Sequence, residues 1–364
     1  MMTRSVLIIG AGLAGARAAE TLRSEGFDGA VTIVGDEPCG PYERPALSKE
    51  FLAGRRDENS LLLRPHSYWS GRDIELVLGD AVVELEPSLR VARTRRGKTL
   101  RFDHVVVATG ATPRPLPLEL PRGTHELRTL ADARALRAAL VPGSRLVVIG
   151  GGFVGAEVAS TASELGVHVT VVEAAEAPVA RLLGDEVGLM LAARWHRHGI
   201  DVRLRTGVAH VRADAGGRVS SLLLTDGSEL RADTVLVAVG VAPLRTLLPE
   251  RPQSHVHTAG DVTGSGHWTA AAADGAGAAR RILGLPPSLP QPSYVWSDQF
   301  GLRLQIVGIP GPDDTLDIDG DDDAYAVRYR DQGGSVTAGV FANRPAAAAD
   351  LRRALAEQGL ALAA

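Results

Sequence analysis

The chain has 364 residues, 45% of them hydrophobic and 23% charged, with a net charge of −4, the balance of a globular protein with room for about two or three domains. That charge gives no basic footprint for nucleic acid, and no apolar run has the length of a membrane-spanning helix. A single cysteine, Cys39, excludes a disulfide framework, a Cys-x-x-Cys redox pair and a cysteine-built zinc or iron–sulfur site.

Met1–Arg4 lead straight into the apolar run Val6–Ile9, of strand length, which leaves no room for a signal peptide and predicts a cytoplasmic protein. Gly10-Ala-Gly12-Leu-Ala-Gly15 follows without a spacer. Ala14–Leu22 then carries small and apolar residues at helical spacing, and Val31–Val34 reads as a second strand. In such a unit Gly10 permits the tight turn, Gly12 lets backbone approach a pyrophosphate, and Gly15 lets the helix pack on the strand. The helix N-terminus offers free N–H groups and a positive dipole end to the phosphate. An acid is due roughly 20 residues later to take ribose hydroxyls, and Asp36 stands there, beside Glu37.

Gly35–Lys49 holds three prolines and reads as a shaped loop, with a helix starting over Leu47–Leu52 and Ser48 near its cap. Asp73–Glu84 alternates in strand fashion. Arg95–Lys98 reads as a hairpin turn, and Phe102–Ala108 as an apolar strand ending at Thr109-Gly110-Ala111. Arg145–Ile149 opens a second copy of the first pattern, Gly150-Gly-Gly152-Phe-Val-Gly155, with a helix to about Leu165 and a strand Val167–Val172 ending at Glu173. Two such units in one chain are an internal duplication. Ala174 and Ala175 follow Glu173 with no arginine adjacent, so a 2′-phosphate on a nucleotide there would meet a like charge. Leu222–Asp233 predicts a hairpin turning at Asp226-Gly227, Thr234–Val239 a strand ending at Gly240, and His267–Leu283 a helix. Pro286, Pro287, Pro290 and Pro292 mark a linker before short strands and a helix over Ala346–Gln358.

These residues resemble the two-dinucleotide-fold flavoprotein reductases, specifically the ferredoxin reductases that serve Rieske oxygenases and cytochromes P450, with apoptosis-inducing flavoproteins as relatives. The resemblance covers nearly the whole chain. It is carried by Gly10–Gly15, Pro41-Tyr-Glu-Arg-Pro-Ala-Leu-Ser-Lys49, Ala108-Thr-Gly110, Leu127-Arg-Thr129, Gly150–Glu157, Ala259-Gly-Asp261 and Trp296-Ser-Asp-Gln-Phe300. It implies an α/β protein of the glutathione-reductase-like type, with two Rossmann-like dinucleotide-binding domains and a small α+β C-terminal domain. Residues 1–111 and 232–288 would bind FAD, 112–231 NAD(H), and 289–364 would form a trimmed C-terminal domain.

By the same resemblance Asp36 takes the adenosine ribose of FAD, and Ala14 and Val82 contact the cofactor through backbone. Arg44, Lys49 and Arg128 face flavin, ribityl or phosphate groups, Asp261 holds the ribityl or pyrophosphate region, and Trp268 and Trp296 flank the isoalloxazine. Gly10, Gly12, Gly15, Ala108, Thr109, Gly110 and Gly240 complete the cofactor set, with Gly150, Gly152, Gly155 and Glu173 on the nicotinamide nucleotide. Lys49 and Glu157 form the catalytic pair near flavin N5, a matter of electrostatic tuning. On the residues alone, Glu157 reads also as a solvated helix residue, Lys49 as a surface cap residue and Trp268 as plain core. His196 and His198 beside Arg194 and Arg197 read as an exposed basic turn. Asp317–Asp323 has the look of a calcium loop, but Arg328 occupies the position where a bidentate Glu is needed; it is read as an acidic turn, and no metal is expected.

The implied function is an NADH-dependent FAD reductase delivering electrons to a ferredoxin or another small acceptor, with no nucleic-acid or membrane partner. The alternatives are an FAD-dependent oxidoreductase acting directly on a small organic substrate in a biosynthetic pathway, and a flavin-bearing signalling protein. The chain departs from the family in a short span between Gly240 and His257, a short loop from Asp261 to Trp268, and a shortened end. Those departures put the acceptor's identity in question.

Overall fold

The computed structural model describes residues 5–264, 266–289 and 291–363, with side chains to residue 359 of the last helix. The chain divides into two compact units, one of Met1–Glu43, Glu58–Thr112 and Val241–Leu289, the other of Arg44–Asp57, Pro113–Gly240 and Pro290–Ala364.

The first unit is built on a five-stranded sheet in the order Val256–Thr258, His104–Val107, Ser5–Ile9, Ala30–Val34, Ile74–Val77. Every neighbouring pair is parallel. A parallel sheet is covered on both faces, which is why Val6–Ile9 and Val105–Val107 read as unbroken apolar runs and are buried. Helix Leu13–Ser24 covers one face with its alanines, and helix Trp268–Ile282 crosses it closely: a Cβ on Gly275 would stand 2.1 Å from the Ala14 carbonyl oxygen. A three-stranded antiparallel sheet, Val82–Glu86, Val91–Thr94 and Thr99–Arg101, covers the other face.

The second unit repeats this plan. Its parallel sheet runs Asp201–Arg203, His168–Val172, Arg145–Ile149, Thr234–Val237, Thr124–His125, and a three-stranded antiparallel sheet again joins it, Val208–Ala213, Val219–Leu224 and Glu229–Arg231. The C-terminal part adds a five-stranded antiparallel sheet, in the order Tyr294–Gln299, Leu302–Gly308, Val336–Ala342, Tyr325–Arg330, Thr315–Gly320, with helix Pro345–Ala363 packed on it. One apolar core runs from the helical face of the parallel sheet into this C-terminal sheet, joining Leu183, Leu191 and Trp195 to Leu302, Leu304 and Val340.

Local expectations fail in four places. Asp73–Glu84 is two strands in two sheets, Ile74–Val77 and Val82–Glu86, because Gly79 at φ +68° turns the chain back against Gly35 and Glu37. Alternation continues on both sides of that turn, so the pattern hides it. The helix over Leu47–Leu52 is a 3-10 turn at Arg44–Ser48, closed by the Lys49 N–H on the Ala46 carbonyl oxygen. Arg194 leaves the exposed basic turn, since helical spacing puts it on the inner face of Ala180–Arg197, while His196, Arg197 and His198 are exposed. Its guanidinium donates to the Phe300 and Asp322 carbonyl oxygens at 2.8 Å and to Asp323 Oδ1 at 2.9 Å. Asp317 and Asp319 lie on strand Thr315–Gly320 rather than in a loop and pair with Arg330 and Arg344. Of the linker prolines, Pro290 lies outside the described residues, as do Met1–Arg4.

Candidate active site

In the first unit the glycine turn obeys the sequence logic. Gly10 sits at φ +120°, and a Cβ there would lie 2.1 Å from the Ala108 carbonyl oxygen. A Cβ on Gly15 would lie 2.0 Å from the Gly10 carbonyl oxygen, so helix and turn touch through backbone. Gly12 caps the helix in extended conformation, offers no capping side chain, and has no atom within 4 Å of where a Cβ would stand. Backbone donors at an open helix N-terminus suit a pyrophosphate. Ala14 is buried behind the turn. Asp36 is exposed at the end of the second strand, while Glu37 beside it accepts a 2.8 Å hydrogen bond from the Tyr42 hydroxyl. Ala108, Thr109 and Gly110 follow the third strand, Thr109 Oγ1 donating to the Leu244 carbonyl oxygen at 2.7 Å. Val82 is buried at the start of its strand. Asp261 is in the 3-10 turn Gly260–Thr263, and Trp268 opens the helix that follows. Burial pushes the imidazole of His267, the cap of that helix, below its ordinary range, with Asp261 opposing the shift.

The second unit repeats the turn. Gly150 sits at φ +106°, a Cβ on Gly155 would lie 2.1 Å from the Gly150 carbonyl oxygen, and Gly152 again caps its helix with open space around it. Glu173 Oε2 accepts from the Gly151 N–H at 2.6 Å and Oε1 from the Ala175 N–H at 2.8 Å. Each oxygen keeps a second lone pair for a ribose hydroxyl. One expectation needs correction here. No arginine follows Glu173 in sequence, but the fold brings Arg205 to the same corner, its N–H bonded to the Ala175 carbonyl oxygen and its guanidinium paired with Glu176. Gly240, at φ +97°, lies three residues past the end of strand Thr234–Val237 of this sheet.

The same unit brings together the two residues singled out for chemistry. Lys49 Nζ lies 2.8 Å from Glu157 Oε2, and the residues are 7% and 5% exposed, which removes the surface readings of both. Glu157 projects from helix Phe153–Glu164, buried along most of its length, and Lys49 follows the 3-10 turn fixed by Pro45. Arg44 Nη1 donates to the Arg128 carbonyl oxygen at 2.5 Å, joining two more of the expected residues. Trp296 stacks on Tyr294, ring centroids 6.2 Å apart.

Four residues around this pair escaped the sequence reading. Ser48 Oγ donates to Glu157 Oε2 at 2.5 Å, and Ser297 Oγ to Glu157 Oε1 at 2.9 Å. Gln299 Nε2 donates to Ser297 Oγ at 3.1 Å, and Trp195 Nε1 to Gln299 Oε1 at 2.8 Å. Strand alternation was the available signal, because it puts Ser297 and Gln299 on the face opposite Trp296. A buried ion pair costs desolvation, so its retention points to work for a fixed positive charge. Lys49 Nζ has Glu157 as its one hydrogen-bond partner among the described residues. Its remaining donors suit an acceptor edge such as that of a flavin. Among those residues no cluster of His, Cys, Asp and Glu could hold a metal, and no helix is long and apolar enough to cross a membrane.

The family model described as pyridine nucleotide-disulphide oxidoreductase matches residues 4–263, and the reductase C-terminal model matches 294–364. Rhodocoxin reductase of Rhodococcus erythropolis is 35% identical over 93% of this chain and 82% of its own. The ferredoxin–NAD(+) reductase component of the biphenyl dioxygenase system of Paraburkholderia xenovorans (strain LB400) is 34% identical over 84% and 81%. Putidaredoxin reductase in its covalent complex with putidaredoxin superposes with a TM-score of 0.92 at 29% identity, over 97% of this chain and 93% of that one. Likeness of that breadth, from the first strand to the last helix, means that the chain belongs to the pyridine nucleotide-disulphide oxidoreductase family, in its branch of FAD- and NADH-dependent ferredoxin reductases.

Proposed function

We propose that the protein takes hydride from NADH onto FAD and passes the electrons to a small iron–sulfur protein of ferredoxin type that serves an oxygenase. The observation that carries this is the duplicated fold: two parallel sheets, each with a glycine-capped helix N-terminus, in one chain. The named relatives support the acceptor, one being a ferredoxin–NAD(+) reductase component and another a reductase caught in complex with putidaredoxin. Bound FAD supplies the hydride and electron chemistry that no side chain can.

In this reading residues 1–111 and 241–288 are the FAD-binding domain, 112–240 the NAD(H)-binding domain and 289–364 the C-terminal domain, the expected boundary at 232 moving to Gly240 because Thr234–Val237 pairs with Arg145–Ile149 in the second sheet. Gly10, Gly12, Gly15, Ala14, Asp36, Val82, Ala108, Thr109, Gly110, Asp261 and Trp268 hold FAD, joined by Arg44, Arg128 and Trp296, and Gly240 belongs to the cofactor set. Gly150, Gly152, Gly155 and Glu173 hold NADH. Lys49 offers positive charge at the flavin's N5 edge, and Glu157 keeps it there. A cytoplasmic location is part of this reading and fits NADH as donor.

Stopped-flow reduction by NADH, followed by mixing with a ferredoxin, oxygen or small organic acceptors, tests the proposal. Fast reduction and fast transfer to the ferredoxin are expected. Fast reduction with transfer only to an organic molecule would replace the acceptor, and a protein that takes up no FAD would overturn the whole reading.

A further inference from the structure

The hydrogen bonds around Glu157 have a direction that can be read without seeing a proton. The indole N–H of Trp195 is only a donor, and it points at the Gln299 side chain, 2.8 Å away. The amide oxygen of Gln299 must therefore face Trp195, which turns its NH₂ group toward Ser297 Oγ at 3.1 Å. Ser297 accepts that bond, and its single proton goes to Glu157 Oε1 at 2.9 Å. Trp195 and Ser297 are 0% exposed and Gln299 is 3%, so bulk water does not compete for these bonds. The line runs one way and ends on a group that can only accept.

We propose that Ser297 and Gln299 are positioning residues for Lys49, holding Glu157 as an acceptor-only carboxylate whose Oε1 is occupied, so that only Oε2 engages the ammonium. This rests on the reading of Lys49 as the charge beside flavin N5. The second oxygen is the point of the device. With Ser297 on Oε1, the carboxylate meets Lys49 through one oxygen and leaves the other ammonium donors for the flavin edge. Without that hydroxyl the carboxylate turns both oxygens to the ammonium and draws it away. Helix Phe153–Glu164 and strand Tyr294–Gln299 are locked beside each other by a further bond, the Phe300 N–H on Ser160 Oγ at 2.8 Å, so the line has a fixed frame.

The test uses the FAD-loaded enzyme and the variants Ser297→Ala, Ser297→Thr, Lys49→Met and the double variant Ser297→Ala/Lys49→Met. Ser297→Ala is expected to slow flavin reduction by NADH about tenfold, leave NADH affinity within twofold, and lower the flavin midpoint potential by a tenfold shift in its two-electron equilibrium, about 30 mV. Ser297→Thr keeps the hydroxyl and restores both. Because the effect passes through Lys49, the double variant should be no worse than Lys49→Met alone. Additive losses, or an unmoved potential in Ser297→Ala, would overturn the proposal. If Lys49→Met itself leaves rate and potential unchanged, the placement of Lys49 at the flavin fails instead. Should Ser297→Ala not take up FAD, Ser297→Cys keeps the volume with a weaker donor, and an unmoved potential there counts against the proposal in the same way.

Discussion

At the residue scale, chemistry turns on single charges whose surroundings are fixed. Lys49 holds its charge at 7% exposure, paired with Glu157, where water screens little and a charge acts at full range. Lys49→Met should slow flavin reduction about a hundredfold while leaving NADH binding nearly unchanged, since one such group is worth on the order of 2–4 kcal/mol in the transition state; stopped-flow traces across NADH concentrations separate the two. Nucleotide choice is likewise a matter of two side chains. In the proposed site Glu173 would repel a 2′-phosphate, while Arg205, which would attract one, is paired with Glu176. The wild type should prefer NADH. Glu173→Ala should narrow the preference roughly tenfold, the equivalent of about 1.4 kcal/mol, and adding Glu176→Gln should narrow it further by releasing Arg205, with kcat/KM for both nucleotides as the measure.

At the element scale, strands are joined by more than their backbone. His104 Nδ1 and His257 Nε2 lie 3.1 Å apart where His104–Val107 meets Val256–Thr258, the edge strand of the first sheet. A neutral pair shares one proton across that contact; two charged rings are both donors and repel. Burial, with His104, Arg281 and His255 nearby, brings His257 down to about 4. A histidine whose folded value lies below its unfolded one contributes stability that is complete above about pH 6.5 and lost as the pH falls toward 4. The loss should be on the order of 1–2 kcal/mol after solvent screening. Urea unfolding from pH 8 to pH 4 measures it, and His257→Gln should flatten the slope. Such contacts also mark what a sequence reveals. The glycine turns, both parallel sheets and the Lys49–Glu157 candidates were legible because sterics or a motif demands particular residues at fixed spacing. The turn at Gly79 was not, since alternation resumes beyond it, nor were Ser48 and Ser297, which bond Glu157 from distant segments, or Gln299 and Trp195, which follow Ser297 in the same line. Arg205 escaped for the same reason: adjacency in space is not adjacency in sequence.

At the scale of the whole molecule, both folds offer a nucleotide backbone donors at a glycine-capped helix N-terminus, and flavin should therefore be tight but non-covalent. Acid precipitation should release all of it, and removing FAD should lower the melting temperature. At a hundredfold excess over its dissociation constant, a ligand adds about 2.7 kcal/mol to stability, so the midpoint should climb with added FAD. The two sheets differ, however, in where along the chain they gather their strands. The second lies entirely between Thr124 and Val237, whereas the first waits for Val256–Thr258 at its edge. During synthesis a chain emerges N-terminus first, and a strand cannot pair before it has been made. The nascent first sheet leaves the ribosome with the outer side of His104–Val107 unpaired while every strand of the second follows it out. Of the two folds, the one whose translation begins first is the one whose sheet is finished last.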